Sequence, residues 1–181
     1  MSKQNKNLVG CCGIYCGLCT KYQSKAPSRC IGCRLGKQHD WCSIYRCCRK
    51  KKVITCIECT EYPCERYIRF RKWGGELYGS KAAEENLEKI KELGLEKWLE
   101  EQRQRQALFE GLLQNYNEGR SMSFYCKTCT RMSIELINEA IKEAKKRFTS
   151  EKVDKSDIKS KAKILKSILK DICLSSNVNM G

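Results

Sequence analysis

Cysteine spacing constrains this chain more than any other feature of its sequence. The chain has 181 residues and 15 cysteines, and 12 of the cysteines lie between Gly10 and Cys64. Four C-x-x-C pairs recur along it: Cys16/Cys19, Cys30/Cys33, Cys56/Cys59 and Cys126/Cys129. A two-residue spacer allows both thiolates of a tight turn to bind one metal ion. Four such pairs therefore predict a metal-binding protein.

A disulfide scaffold is the alternative explanation for so many cysteines. The N-terminus contains no apolar run of signal-peptide length, and no stretch approaches the ~18 apolar residues of a membrane span. We therefore expect a cytoplasmic protein without a membrane span, in which thiols stay reduced. The odd cysteine count and the prevalence of C-x-x-C pairs also favour metal over disulfides.

The spacing leaves the identity of the metal open, because zinc and iron–sulfur clusters both use C-x-x-C thiolates. Scattered pairs favour zinc, in two or three structural sites. The C-x3-C-x2-C spacing of Cys12, Cys16 and Cys19 also suits a [4Fe–4S] cluster, which is the alternative. Radical S-adenosylmethionine enzymes share that spacing, but they need an α/β barrel, and the sequence that follows here predicts helices without alternating strands.

Four cysteine motifs follow one another between residues 10 and 70: C-G-I-Y-C-G-L-C, C-I-G-C, C-S-I-Y-R-C and C-I-E-C-T-E-Y-P-C-E. Together they resemble a cysteine-rich family of prokaryotic proteins known only as a domain of unknown function. Members often continue with a motif similar to I-K-E-L-G-L-E-K-W-L-E-E-Q, which stands here at residues 90–102. A C-x-x-C that often follows soon after stands later in this chain, at Cys126/Cys129. The resemblance implies metal binding and no known activity.

The resemblance places ten cysteines in register as metal ligands. These are Cys12, Cys16, Cys19, Cys30, Cys33, Cys42, Cys47, Cys56, Cys59 and Cys64. Cys126 and Cys129 are further candidate ligands, whereas Cys11, Cys48 and Cys173 lie outside the pattern and are expected to be free thiols.

Spacing alone does not decide which cysteines share a site, so the grouping is a hypothesis. The first predicted site contains Cys12, Cys16, Cys19 and Cys64. The second predicted site contains Cys30, Cys33, Cys56 and Cys59. Cys42 and Cys47 remain for a third site, together with Cys126 and Cys129.

Catalytic signatures are scarce in the sequence. It contains no G-x-S-x-G, P-loop or G-x-G-x-x-G motif, and His39 is its only histidine. A lone histidine beside Asp40 and Trp41 is more typical of a surface or packed residue than of a general base. We therefore assign no catalytic residue and favour a binding protein over an enzyme.

Positive charge is concentrated in the cysteine-rich half. The formal net charge is +15, and residues 1–79 carry +11 of it. Four thiolates around one Zn²⁺ amount to a charge of −2, so two sites would leave the chain at +11. The basic residues that we consider for nucleic-acid binding are Arg49, Lys50, Lys51, Lys52, Arg66 and Arg69. A helix from Pro63 to Trp73 would interleave its cations with Tyr67 and Phe70, although packing of these aromatics on the cysteine core is the simpler interpretation.

The predicted fold is a small, irregular, metal-stabilised domain at residues 9–75, followed by an all-α region at residues 80–173. Residues 1–8 and 174–181 are expected to be disordered. In the first domain we expect a helix from Cys42 to Lys51 and a short strand at Lys52–Thr55. In the second, helices begin at Ser80, Leu95, Ser133 and Ile158, and Glu100–Gln106 is expected to face water.

The sequence thus predicts a cytoplasmic protein in which structural zinc supports a module that binds a protein or a nucleic acid. An iron–sulfur redox protein or enzyme is the alternative. No small-molecule substrate and no particular partner are indicated.

Overall fold

The computed structural model describes residues 6–74 and 80–178, with side chains for residues 6–72 and 82–178. Within these residues the chain is mostly helical. Its α-helices are α1 (Thr20–Gln23), α2 (Ser43–Lys51), α3 (Glu65–Gly74), α4 (Ser80–Leu93), α5 (Leu95–Tyr116), α6 (Met122–Arg131), α7 (Ile134–Ser150) and α8 (Ile158–Ser175). Short 3-10 turns occur at Lys6–Leu8, Cys16–Leu18, Lys37–His39 and Cys56–Glu58. An irregular cysteine-rich segment followed by helices is therefore confirmed.

The chain divides into two compact units, Met1–Arg103 (unit 1) and Gln104–Gly181 (unit 2). This division lies later than the predicted boundary at residues 75–80, because the helices that follow the cysteine segment are part of unit 1. Trp98 at the start of α5 is fully buried, and its ring stands edge-on to that of Tyr15 at a centroid distance of 5.8 Å. An edge-to-face aromatic pair of this kind contributes about 0.5–1.5 kcal/mol beyond its buried area.

The cysteine segment lies directly against α3 and α4. Gly13 has a φ of +96°, and a Cβ atom at this position would lie 2.1 Å from the carbonyl oxygen of Ala83. Only glycine allows this close approach of backbone to helix. Asn86 of α4 donates to the Gly13 carbonyl at 2.9 Å, and the hydroxyl of buried Tyr67 in α3 donates to the Cys12 carbonyl at 3.1 Å. The backbone around Cys12 is thus fixed by both helices.

The local structure around the later cysteines corrects two predictions. Residues 52–55 form no strand, because Lys52 ends α2 in the left-handed conformation at φ 57°. The predicted helix at Pro63 begins two residues later, at Glu65. The Cys64 carbonyl accepts the first helical hydrogen bond, from Ile68 at 3.0 Å, so Cys64 precedes the first turn. In the part of the chain that the structure describes, β-pairing is limited to the isolated bridge between Val9 and Tyr15.

Unit 2 has an apolar core formed by its helices. Ser133 caps α7 as predicted, accepting from the Leu136 N–H at 3.3 Å. Leu165 and Leu169 of α8 are fully buried. Helix α6 begins at Met122, directly after Ser121.

The polar stretch at Glu100–Gln106 does not all face water, contrary to prediction. Gln102 and Arg105 are buried. The Arg105 guanidinium donates to the carbonyls of Cys129 and Met132 at 2.9 and 2.6 Å. These two carbonyls lie at the end of α6, where the helix leaves its acceptors unsatisfied. Arg105 is therefore buried because it completes hydrogen bonding that α6 lacks.

The chain ends are more ordered than predicted where they are described. Leu8 is buried in the turn Lys6–Leu8, α8 extends to Ser175, and the Val178 N–H bonds to the Cys173 carbonyl at 2.9 Å. The predicted disorder at residues 1–5 and 179–181 lies outside the described residues. No helix among the described residues has the length and apolar character needed to cross a membrane.

Candidate metal centre

A first thiol cluster forms where the N-terminal segment meets the loop after α1. Its members are Cys12, Cys16, Cys30, Cys33 and Cys42. The Sγ atoms of Cys16 and Cys33 lie 3.9 Å apart. This is too far for a disulfide, whose sulfurs are about 2.05 Å apart. It is close to the separation of about 3.8 Å expected between two sulfurs on one tetrahedral zinc ion with Zn–S bonds of ~2.3 Å.

Electrostatic interactions link the other thiols of the first cluster to the pair formed by Cys16 and Cys33. The hydrogen bond between Cys33 and Cys16 lowers the pKa of Cys16, and it raises the pKa of Cys33 together with burial and the thiols of Cys12 and Cys30. Burial raises the pKa of Cys12 to about 12, and neighbouring Cys42 contributes to the rise. The pair therefore favours one thiolate, whereas a cation in the cluster would be needed to ionise the rest.

A second thiol cluster surrounds a small cavity between α2, the turn Cys56–Glu58 and the start of α3. Its members are Cys47, Cys48, Cys56, Cys59 and Cys64. The cavity has a volume of about 20 Å³. A single water needs roughly 10–15 Å³, so the space accommodates one ion or one water. The Sγ atoms of Cys48 and Cys56 lie 3.7 Å apart, again near the spacing of two sulfurs on one zinc ion.

A cation already accompanies the second cluster. The Lys51 ammonium lies 3.3 Å from the Cys59 sulfur and 2.6 Å from Glu61 Oε1. Hydrogen bonds to Glu61 and to Cys59 raise the pKa of Lys51, so this side chain stays charged. The Lys51 ammonium therefore places a positive charge beside this cluster.

Cys11 and Cys48, which lie outside the family pattern, are part of this region, and their role as free thiols stays a prediction. Both are buried. The pKa of Cys11 is raised, chiefly by its hydrogen bond with Cys48 and then by burial. The pKa of Cys48 is raised to about 12, because the hydrogen bond with Cys11 lowers it less than the bond with Cys56 and burial raise it. Both residues stand beside other cysteines and belong to no C-x-x-C pair, so cysteine spacing assigns them to no site.

Arg34 is a residue of this region that sequence reasoning missed. Its guanidinium donates to the carbonyls of Val9, at 2.8 Å, and Ile54, and it lies 3.3 Å from the Cys11 sulfur. Ile54 precedes the turn that carries Cys56, and Val9 precedes Cys11. Arg34 thus ties together three segments that bear cysteines of both clusters.

The observed grouping differs from the predicted one. Cys16 pairs with Cys33, which was assigned to the other site, and Cys64 lies with Cys56 and Cys59 rather than with Cys16. The physical reason is that α3 starts only after Cys64, so this cysteine faces α2 and the turn at Cys56. Cys42 lies in the first cluster and Cys47 in the second, whereas the hypothesis from the sequence placed both in a third site.

The thiols of the described residues come together as pairs. No set of three or more Cys, His, Asp or Glu side chains among them converges on one point in ligand geometry. The 15 cysteines all lie in the described residues, and none of them forms a disulfide.

The remaining predicted site residues are placed as follows. Cys19 is half-buried and follows the turn Cys16–Leu18. Cys126 and Cys129 lie one helical turn apart in α6 of unit 2, where burial raises the pKa of Cys129 to about 12. Their participation in a site with Cys42 and Cys47 stays a prediction. The six basic residues considered for nucleic-acid binding are all exposed: Arg49, Lys50, Lys51, Lys52, Arg66 and Arg69.

Comparison with known proteins shows that the cysteine segment is similar to a family of unknown function. Residues 8–69 match the model of a family described as "Protein of unknown function (DUF3795)". The resemblance predicted for residues 10–70 is thereby confirmed for this segment. The comparisons with curated proteins and with solved structures gave no match. The two thiol clusters both lie within the matched residues.

Proposed function

We propose that unit 1 is a metal-binding domain in which zinc ions, held by the two thiol clusters, stabilise the fold of a binding module. The observation that carries the proposal is the cavity lined by five cysteines. A closed structural zinc site needs four ligands, and five thiols line this space, so a bound ion could draw four of them together. Its volume of about 20 Å³ favours a single ion over an eight-atom [4Fe–4S] cluster.

Raised thiol pKa values are consistent with this role. The pKa of Cys12 and the pKa of Cys48 are each raised to about 12, so both thiols stay protonated at neutral pH in the absence of a nearby cation. A metal ion would displace these protons, so binding should release protons and weaken as the pH falls. The two clusters would then change from weakly bonded thiol pairs to closed ionic sites.

Element analysis combined with an absorption spectrum of anaerobically purified protein tests the metal. We expect at least two equivalents of zinc and no visible absorption band. Less than one equivalent of any metal would overturn the proposal. Iron with acid-labile sulfide and a visible band would replace zinc by the iron–sulfur alternative.

Paired substitutions test the two-cluster arrangement. Cys16→Ser and Cys64→Ser should each remove about one metal equivalent, and the double variant should remove two, because the residues lie in different clusters. Cys173→Ser is the matched control, since Cys173 is a buried thiol in unit 2 beside Met132. Loss of only one equivalent from the double variant would restore the grouping predicted from the sequence.

The partner of the module is proposed from the charge of unit 1. The exposed cations on and after α2 and on α3 would suit phosphate groups or an acidic protein surface. A mobility-shift assay with single-stranded and double-stranded nucleic acid at low and moderate salt separates these partners. Binding that weakens steeply with salt supports nucleic acid, because phosphate contacts release counterions. No shift at low salt supports a protein partner.

A further inference from the structure

The only histidine of the chain lies against a cysteine of the first cluster. His39 ends the turn Lys37–His39, and its Nε2 atom is 3.3 Å from the Cys30 sulfur. With Zn–N of ~2.05 Å and Zn–S of ~2.3 Å, two ligands of one tetrahedral zinc ion are separated by about 3.6 Å. The His39–Cys30 pair is therefore close to the geometry of two ligands sharing one ion.

The Cys30–Cys33 turn connects this pair to a second one. Gly32 takes a φ of +102°, which lets its N–H donate back to the Cys30 sulfur at 3.3 Å. At the other end of the turn, Cys33 lies 3.9 Å from Cys16. One tight turn thus carries the cysteines of two pairs, Cys30 with His39 and Cys33 with Cys16.

Gln38 holds the histidine turn beside Cys30. Its side chain accepts from the Ile31 N–H at 3.4 Å and donates to the Arg29 carbonyl at 3.3 Å. These two groups flank Cys30 on either side in the chain. Beyond the histidine, the Cys42 N–H donates to the His39 carbonyl at 2.9 Å. The proximity of His39 to Cys30 is therefore fixed by side-chain and backbone hydrogen bonds that do not involve the imidazole.

We infer that His39 is the fourth ligand of a Cys3His zinc site completed by Cys16, Cys30 and Cys33. The four side chains stand as two separate pairs among the described residues, so one ion would have to draw the pairs together. The inference rests on the proposed function and specifies the ligands of its first cluster. Imidazole nitrogen combined with three thiolates is one of the standard ligand sets of structural zinc. Such a site carries a net charge of −1 rather than −2, since neutral imidazole replaces a thiolate. Cys12 is the competing fourth ligand, because its thiol interacts electrostatically with those of Cys16 and Cys33.

Metal content and cobalt spectra of the full chain test this assignment. His39→Ala should lower the zinc affinity of one site by about 100-fold or more, since even outer-shell partners of a ligand cost 10–100-fold. His39→Cys should restore the zinc content. With Co²⁺ in place of zinc, it should also shift the visible bands of that site towards those of an all-thiolate site. Lys37→Ala is the matched control, because Lys37 is an exposed residue of the same turn.

Two results would overturn the inference without affecting the proposed function. The first is wild-type protein with two zinc equivalents and a His39→Ala variant unchanged in both zinc affinity and cobalt spectrum. The second is loss of one equivalent in Cys12→Ser with full retention in His39→Ala, which would make Cys12 the ligand. Wild-type protein that binds no metal would instead overturn the proposed function and this inference together.

Discussion

The interiors of the cysteine segment and of unit 2 are built from different side chains. Among the described residues 6–64, five of the ten buried hydrophobic residues are cysteines. Of the 14 buried hydrophobic residues in the described part of unit 2, only two are cysteines, and the others are mainly leucine, isoleucine, alanine and aromatic residues. A buried leucine contributes about 1.5–3 kcal/mol, whereas a thiol behaves as a small hydrophobe. The comparison leads us to expect that unit 2 is stable through packing alone, and we propose that the cysteine segment needs bound metal as well.

The largest effect expected from this difference is the response to metal removal. A chelator acting on the intact chain under reducing, anaerobic conditions should unfold residues 9–73 and leave residues 104–178 folded, because a preformed thiolate site rarely persists without its ion. Hydrogen exchange resolved by segment measures this directly. Protection lost equally in both segments would show that they are one cooperative unit. Protection unchanged in both after complete metal loss would mean that metal does not stabilise the fold.

The converse experiment perturbs the apolar core of unit 2. Leu165→Ala removes a fully buried side chain from α8 and should lower the free energy of unfolding of unit 2 by about 2–5 kcal/mol. The metal content should stay unchanged. Urea unfolding followed by circular dichroism, with element analysis on the same sample, measures both quantities. Leu174→Ala is the matched control, because Leu174 is 78% exposed, and its effect should be close to zero.

The fold was predictable where local signals act alone. Ser133 caps α7, Gly94 follows α4, and the apolar period of α4 places Ala83, Leu87 and Ile90 inside. Each of these features depends on residues that are close in sequence. The helix around Cys126 and Cys129 was missed, because its polar and cysteine-containing sequence has little apolar periodicity.

The candidate site was predictable in composition but not in its grouping. Most cysteines of the two clusters were named from their spacing. Their grouping was not, because Cys16 contacts Cys33 and Cys64 lines the same cavity as Cys56. Which cysteines meet depends on tertiary contacts such as those of Arg34 and Asn86, which tie together segments far apart in sequence. The role of His39 depends likewise on Gln38, and no spacing rule includes either residue. Local patterns therefore identify the ligand types, while distant hydrogen bonds decide the partners.

Removing one helix cap in the cysteine segment and one in unit 2 compares the two regions by a small perturbation of the same kind. Ser133 caps α7, and Thr55 forms a capping box with Glu58 around the turn that begins at Cys56. The Glu58 carboxylate accepts from the Thr55 N–H at 3.0 Å and from the Thr55 hydroxyl at 3.1 Å. Replacing either cap by alanine should cost about 1 kcal/mol of local stability.

The two alanine variants should differ in their effect on metal. Ser133→Ala should lower only the stability of unit 2, because no thiol of the two clusters lies in its helix. Thr55→Ala should also weaken zinc binding, by about 10-fold, because the capping box orients the turn that presents Cys56 to the cavity. Competition with a chromogenic chelator measures the affinity, and urea unfolding measures the stability. Equal zinc affinity in the two variants would show that metal bound to the cavity's cysteines holds the turn at Cys56 in place, and that its cap does not. The cysteine segment would then depend on its metal ions even for its local turns, which would deepen the contrast with unit 2.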